Sequence, residues 1–152
     1  MKHCFIKRQP FVVSKSKMLA MFRNRLFRDG KKIKGTKTLM KTFLFLRQRT
    51  SSPIQVLHEG VMHVTSVFGL RRSMIRGKSY ALPVYLRQPE KRVQIGIQQI
   101  IKVAQMEPSQ RVGERLGEEL EFAATYEGKA CQHQEDMRKT VAENLPFLSY
   151  KW

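Results

Sequence analysis

Between Phe68 and Leu86 the chain drops the helical recurrence of apolar residues found on either side of it. There Tyr80, Leu82 and Val84 alternate with Ala81, Pro83 and Tyr85 in the two-residue period of a strand. The pattern predicts a lone β-ribbon, with arms Phe68 to Ile75 and Ser79 to Leu86 closing around Arg76-Gly77-Lys78. Gly77 supplies the positive φ that a tight hairpin turn needs. Pro83 has no amide proton, so its nitrogen must face away from the ladder. Two strands alone are marginal in water. A ribbon carrying Arg71, Arg72, Arg76 and Lys78 without a carboxylate is therefore expected to lean on a helical body and reach toward a polyanion.

The charge of the whole chain points the same way. Against 12 Asp and Glu stand 29 Lys and Arg, a formal net charge of +17, and such a field favours nucleic acid or an anionic surface. Residues 1–50 hold fifteen of the cations and only one acid, Asp29. Residues 51–105 hold eight against two, and residues 106–152 six against nine. The basic footprint is thus the first two thirds. At 152 residues the chain is most simply one domain. Cys4 and Cys131 are too few for a disulfide scaffold, and no apolar run nears the roughly 18 residues of a membrane span. The acid-free start is compatible with an organelle transit peptide, but Pro10 and the helix that follows almost at once weigh against it.

Residues 1 to about 15 read as a basic, mostly irregular arm, and residues 16–152 as a single helical domain with its hairpin at about 68–86. Ser16 is the expected cap of a first helix with Met18, Phe22 and Leu26 on one face, and Gly30 its expected closing residue. A second helix, about Thr36 to Arg47, should bury Leu39, Met40, Phe43 and Leu46 and turn Lys34, Lys37 and Lys41 outward. Ser52, Pro53 and Gln55 form a start signal with a capping box for a third, which turns Val56 or Leu57, Val61, Val64 and Phe68 inward. Beyond the ribbon Pro89 opens a fourth, in which Val93, Ile97, Ile100 and Ala104 make the clearest amphipathic stripe. Lys91 and Arg92 sit in its first turn, against the helix dipole, which suggests an external anion.

A fifth helix from Pro108-Ser109 should turn Val112, Leu116, Leu120 and Ala123 or Ala124 inward. Its Gly113 and Gly117 permit a close helix neighbour, and Arg111, Arg115, Glu114, Glu118, Glu119 and Glu121 mix on its exposed face. A sixth should run from about Glu135 to Asn144 through Met137 and Val141, ended by Pro146. The final Phe147, Tyr150, Lys151 and Trp152 are aromatic and basic, as a docking terminus would be.

Catalytic and metal signals are weak. His58 and His63 are five residues apart, about 140° around a helix, so they do not share the face that a zinc-protease pair needs. His3-Cys4 and Cys131-Gln132-His133 lack a second paired cluster at structural-zinc spacing, which leaves only a site shared between them or completed by a neighbour. Glu135 and Asp136 are adjacent and do not face one another. Neither a phosphate-cradling glycine loop nor a nucleophile elbow occurs. A non-enzymatic reading without cofactor or metal follows.

Five landmarks in order carry a family resemblance. They are Arg28-Asp29-Gly30-Lys31-Lys32, Gly77-Lys78-Ser79-Tyr80-Ala81-Leu82-Pro83-Val84, Arg115-Leu116-Gly117-Glu118-Glu119-Leu120, Gln134-Glu135-Asp136-Met137 and Tyr150-Lys151-Trp152. From about Met18 to Trp152 the chain resembles the small-subunit ribosomal protein seven family of the bacterial and organellar type. The resemblance implies a mainly α fold, a six-helix bundle with a protruding β-hairpin between the third and fourth helices. It also implies binding to the 3′ major domain of small-subunit rRNA, assembly of the subunit head and a position beside the exit-site tRNA and the mRNA. The ninth and eleventh small-subunit proteins are the neighbours it implies, with the acidic fifth helix and the aromatic tail as the surfaces expected to meet them.

Departures from the family are Arg76 where the first of two tip glycines is usual, Gln132, His133 and Gln134 where lysines are usual, and Gln98 and Gln99 where the fourth helix often has an aromatic. This drift fits an organellar ribosome, mitochondrial before plastid. The expected RNA contacts are Arg23, Arg25, Arg28, Lys31, Lys32, Lys34, Arg71, Arg72, Arg76, Lys78, Lys91 and Arg92. Tyr80, Tyr150 and Trp152 are available to stack on bases. The rival readings are a basic helical DNA-binding regulator and a membrane-surface protein held by the basic N-terminal half, although the resemblance implies no membrane.

Overall fold

In the computed structural model the described residues are 14–27, 30–75, 77–106 and 111–146, with Ile75 and Lys78 described through their backbones only. They form α1 (Lys15–Leu26), α2 (Lys32–Arg49), α3 (Pro53–Val64), the hairpin β1 (Phe68–Ile75) and β2 (Lys78–Tyr85), α4 (Pro89–Met106), α5 (Val112–Ala124) and α6 (Lys129–Glu143). This is the mainly helical fold with one antiparallel hairpin between α3 and α4 that the sequence predicts. The expected arm, apart from its last two residues, and the aromatic tail lie outside the described residues.

The expected stripes of α1 and α4 close the core. Met18 and Phe22 are fully buried with Leu26 half-buried beside them, and Val93, Ile97, Ile100 and Ala104 are all buried. Each large side chain among these contributes about 1.5–3 kcal/mol of burial. Leu57, Val61 and Val64 of α3 and Leu39 and Leu46 of α2 complete the same cluster. Met40 does not join it. It is 63% exposed, because the inward arc of α2 is taken by Gly35, Leu39, Thr42 and Leu46.

Helix ends depart from expectation where tertiary contacts override local signals. Ser14, not Ser16, caps α1, its carbonyl accepting the Met18 N–H at 3.0 Å. The chain leaves α1 extended at Phe27, and Gly30, with φ 71°, lies in the connection and not at the helix end. A Cβ on Gly35 would come within 2.9 Å of the Phe27 Cβ, so that glycine lets the exit of α1 cross the first turns of α2. The box at Ser52 does not form: its hydroxyl meets Gln55 Oε1 at 3.4 Å, while the Gln55 amide donates to Glu59.

The fifth helix is the largest revision. It packs against α2, α3, α4 and α6, so it is an axis of the bundle. Leu116, Leu120 and Ala123 are buried as expected, Val112 at its start is 40% exposed, and the expected start at Pro108-Ser109 lies outside the described residues. Arg115 and Glu119, expected outside, are each only 8% exposed. Gly113 and Gly117 do bring a helix close: a Cβ at Gly117 would lie 2.6 Å from the Phe45 ring, and one at Gly113 3.0 Å from the Lys41 Cβ. Thr42 Oγ1 donates to the Gly113 carbonyl at 3.0 Å across the same contact.

The hairpin is in register from Phe68 opposite Tyr85 to Ile75 opposite Lys78. Lys78 therefore joins the strand, and Gly77 just before it has φ 77°. The Leu86 N–H donates to the Val67 carbonyl at 3.0 Å. By the alternation of an antiparallel ladder, Leu70 and Pro83 then form a non-hydrogen-bonded pair. The missing Pro83 amide proton costs nothing, and its ring is buried. The base of the ribbon leans on the body through β1 beside α6.

Candidate nucleic-acid interface

The expected contact residues fall into two groups. On the body, α1 packs against both α2 and α4. Arg23 and Arg25 stand near the end of α1, Lys31, Lys32 and Lys34 at the start of α2, and Lys91 at the start of α4. All six are exposed. Arg25 Nη2 donates to Gln94 Oε1 at 3.3 Å, and Lys17 Nζ pairs with Glu90 at 2.5 Å, so side chains of α1 reach across to α4 at both levels. Glu90, an acid in the first turn of α4, is engaged by a cation of the same chain.

Arg92 behaves differently from Lys91. Half-buried, it donates from Nε to the Leu86 carbonyl at 2.6 Å and from Nη2 to the Tyr85 hydroxyl at 3.1 Å, and its guanidinium sits 5.4 Å from the centre of the Tyr85 ring. It braces the root of the ribbon against α4, and this accounts for a cation in that first turn without an outside anion.

On the ribbon, Arg71 and Arg72 are exposed and, being adjacent in a strand, point to opposite faces. The finger is therefore cationic on both sides. Arg28 and Arg76 lie outside the described residues, and Lys78 is described only through its backbone.

Between α1 and α4 runs a cleft of about 300 Å³ lined by Asn24, Arg25, Phe27, Gln98, Lys102 and Gln105, together with Ile101. Lys102 was not singled out from the sequence. It stands eleven residues after Lys91, three helical turns along the same face, and that spacing is the signal that could have found it.

Of the histidine and cysteine candidates, His63 and Cys131 are engaged within the protein, and His133 is exposed. His63 Nδ1 lies 3.0 Å from the Ala123 carbonyl, and its ring stacks on Tyr126 at 3.6 Å. Buried Cys131 points its thiol at the same carbonyl at 3.8 Å. Burial above all, then the charges of Glu119 and Glu135, pushes its pKa up, which disfavours the reactive thiolate. Among the described residues no three His, Cys, Asp or Glu side chains group as metal ligands, and no helix is long and apolar enough to cross a membrane. His3 and Cys4 lie outside those residues.

The geometry defines a class: a helical bundle with exposed cations on α1, α2 and α4 and a cationic two-stranded finger. The sequence matches the family described as ribosomal protein S7p/S5e over residues 2–144, and the chain belongs to that family, whose members are structural ribosomal proteins and not enzymes. Similar relatives are small ribosomal subunit proteins uS7 of bacteria. That of Lactobacillus johnsonii is 30% identical over 141 residues, 92% of this chain and 90% of the relative. Those of Oceanobacillus iheyensis and Ligilactobacillus salivarius are 29% and 27% identical over 144 residues, 94% of this chain and 92% of each relative.

Proposed function

We propose that this protein is a small-subunit ribosomal component that binds the 3′ major domain of small-subunit rRNA, helps assemble the subunit head and lies beside the exit-site tRNA and the mRNA. The observation that carries the reading is the exposed cationic set on α1, α2, α4 and the ribbon, in a chain of this family. Arg23, Arg25, Lys31, Lys32, Lys34, Arg71, Arg72 and Lys91 set charge against phosphate, joined by Arg28, Arg76, Lys78 and Lys102. Arg92 orients the ribbon. Contacts of this kind position a protein on folded RNA through shape and backbone more than through a base code. The ninth and eleventh small-subunit proteins are the proposed neighbours, at the acidic edge of α5 and at the aromatic tail. An irregular N-terminal arm alongside the RNA belongs to the same reading.

The proposed ribosome is mitochondrial, with the plastid ribosome as the alternative. Identity of only 27–30% to the bacterial relatives supports an organellar setting, as do the departures at Arg76 and at Gln132 to Gln134. Mass spectrometry of purified mitochondrial and plastid small subunits tests it.

Filter binding tests the RNA reading. A structured head-domain RNA fragment should bind more tightly than duplex DNA of equal length. Arg76→Glu with Lys78→Glu should weaken RNA binding and leave helicity by circular dichroism unchanged. Equal or tighter binding of the duplex would favour a DNA-binding regulator, and lost helicity would place the ribbon tip in the core.

A further inference from the structure

Along the outer side of α2 lie Ile33, Met40 and Leu44, exposed at 73%, 63% and 62%. At 100° per residue they fall within about 40° of one another, opposite buried Gly35, Leu39, Thr42 and Leu46, and they extend for about 16 Å along the helix. A single exposed apolar side chain is ordinary, but Met40 and Leu44 one turn apart, with Ile33 in line beyond Lys37, form an apolar strip. Lys37 and Lys41 are exposed on the same side, and α2 contains no acid.

We propose that this face of α2 docks an acidic amphipathic helix of a neighbouring protein, with apolar residues seated on Met40 and Leu44 and carboxylates facing Lys37 and Lys41. Charge and chemistry select that occupant. RNA phosphate can pair with the lysines but gains nothing by covering Met40 and Leu44, and the half-buried Phe43 and Phe45 lie off this strip. The chain's own ends suit it poorly: residues 1–13 carry Lys2, Lys7 and Arg8, residues 147–152 carry Lys151, and neither has an acidic side chain. A second copy brings the same +17 charge, and the apolar face of its acid-rich α5, Leu116, Leu120 and Ala123, is buried in its own core. A helix laid in a groove with apolar anchors at i, i+4 and i+7 and a charged rim is a recurrent recognition mode. This inference is independent of which RNA the cations at the start of α2 meet.

The test uses the full chain and a fluorescent helical peptide of about 18 residues, roughly 27 Å long, with leucines at helical spacing and glutamates on both flanks. A scrambled peptide of identical composition controls for charge. At about 150 mM salt the ordered peptide should bind about tenfold more tightly than the scrambled one. Met40→Ser with Leu44→Ser should abolish that difference while leaving the melting temperature and the affinity for the head-domain RNA fragment unchanged. Equal binding of the two peptides would overturn the proposal, as would a preference that survives the double substitution. Loss of RNA affinity in the variant would assign the strip to RNA, and a dimer seen in analytical ultracentrifugation that the variant abolishes would assign it to a second copy.

Discussion

Glu119 is a buried carboxylate with an identifiable task. Its Oε1 accepts the N–H of Ala130 at 2.8 Å, in the first turn of α6. That helix starts at Gly128 with no side-chain cap of its own and no acid in its first turn. A residue ten positions before the helix thus does the work that an N-cap normally does and places negative charge at the positive end of the dipole. Glu119→Ala should cost about 1–3 kcal/mol in urea denaturation, because it leaves a buried N–H unpaired, and Glu119→Gln should recover part of the loss. Cys131 senses the same carboxylate. Its pKa is raised in the fold by burial and then by Glu119 and Glu135. Below the unfolded thiol pKa of about 8.5 both states keep the proton and this contribution is complete. As pH rises further the unfolded chain loses its proton first, so stability should fall up to the folded pKa. Melting temperatures measured from neutral to alkaline pH should show this decline, and Cys131→Ala should flatten it.

At the scale of elements, the contact of α2 with α5 is set by missing side chains. Gly117→Ala raises helix propensity by about 1 kcal/mol, but its Cβ would meet the Phe45 ring at 2.6 Å. Overpacking of this kind costs about 1–3 kcal/mol, so the variant should be net destabilised in thermal melts. Phe45→Leu in the same chain should relieve part of the loss. This contact was legible before the structure, because two glycines four apart on an amphipathic helix announce a close neighbour. The stripes of α1, α3 and α4, the hairpin and its proline were legible for similar reasons: period and backbone chemistry are local. The start of α6 at Lys129, some six residues before the expected Glu135, was not, because its cap comes from another helix. The burial of Arg115 and Glu119 was hidden in the same way. Their charges argue for solvent, and only the placement of α5 among four neighbours overrules them. Among the candidate contacts, exposure of the body lysines followed from the amphipathic pattern. The inward turn of Arg92 depended on where the ribbon root came to lie, which no local pattern encodes.

For the whole molecule, the distribution of charge decides how binding responds to conditions. Among the described residues, the pairs between elements, Glu90 with Lys17 and Glu121 with Arg49, involve neither Arg71 nor Arg72 and none of the exposed lysines of α2. Such surface pairs contribute only about 0–1 kcal/mol each, so salt should change folding stability little. Binding should behave oppositely. If about ten cations each displace a condensed counterion from RNA, log K should fall with log salt at a slope of about −7 to −9, a loss of about 10⁴- to 10⁵-fold between about 50 and 200 mM. Removing Arg71 and Arg72 together should lower that slope by about 2 and weaken binding to unrelated structured RNAs as well, since phosphate contacts carry little sequence information. Arg92→Ala should leave the slope nearly intact, because its guanidinium is spent on Leu86 and Tyr85, yet it should reduce affinity at every salt concentration by loosening the root of the finger. Parallel salt titrations of the three proteins therefore separate cations that meet phosphate from the one that aims them.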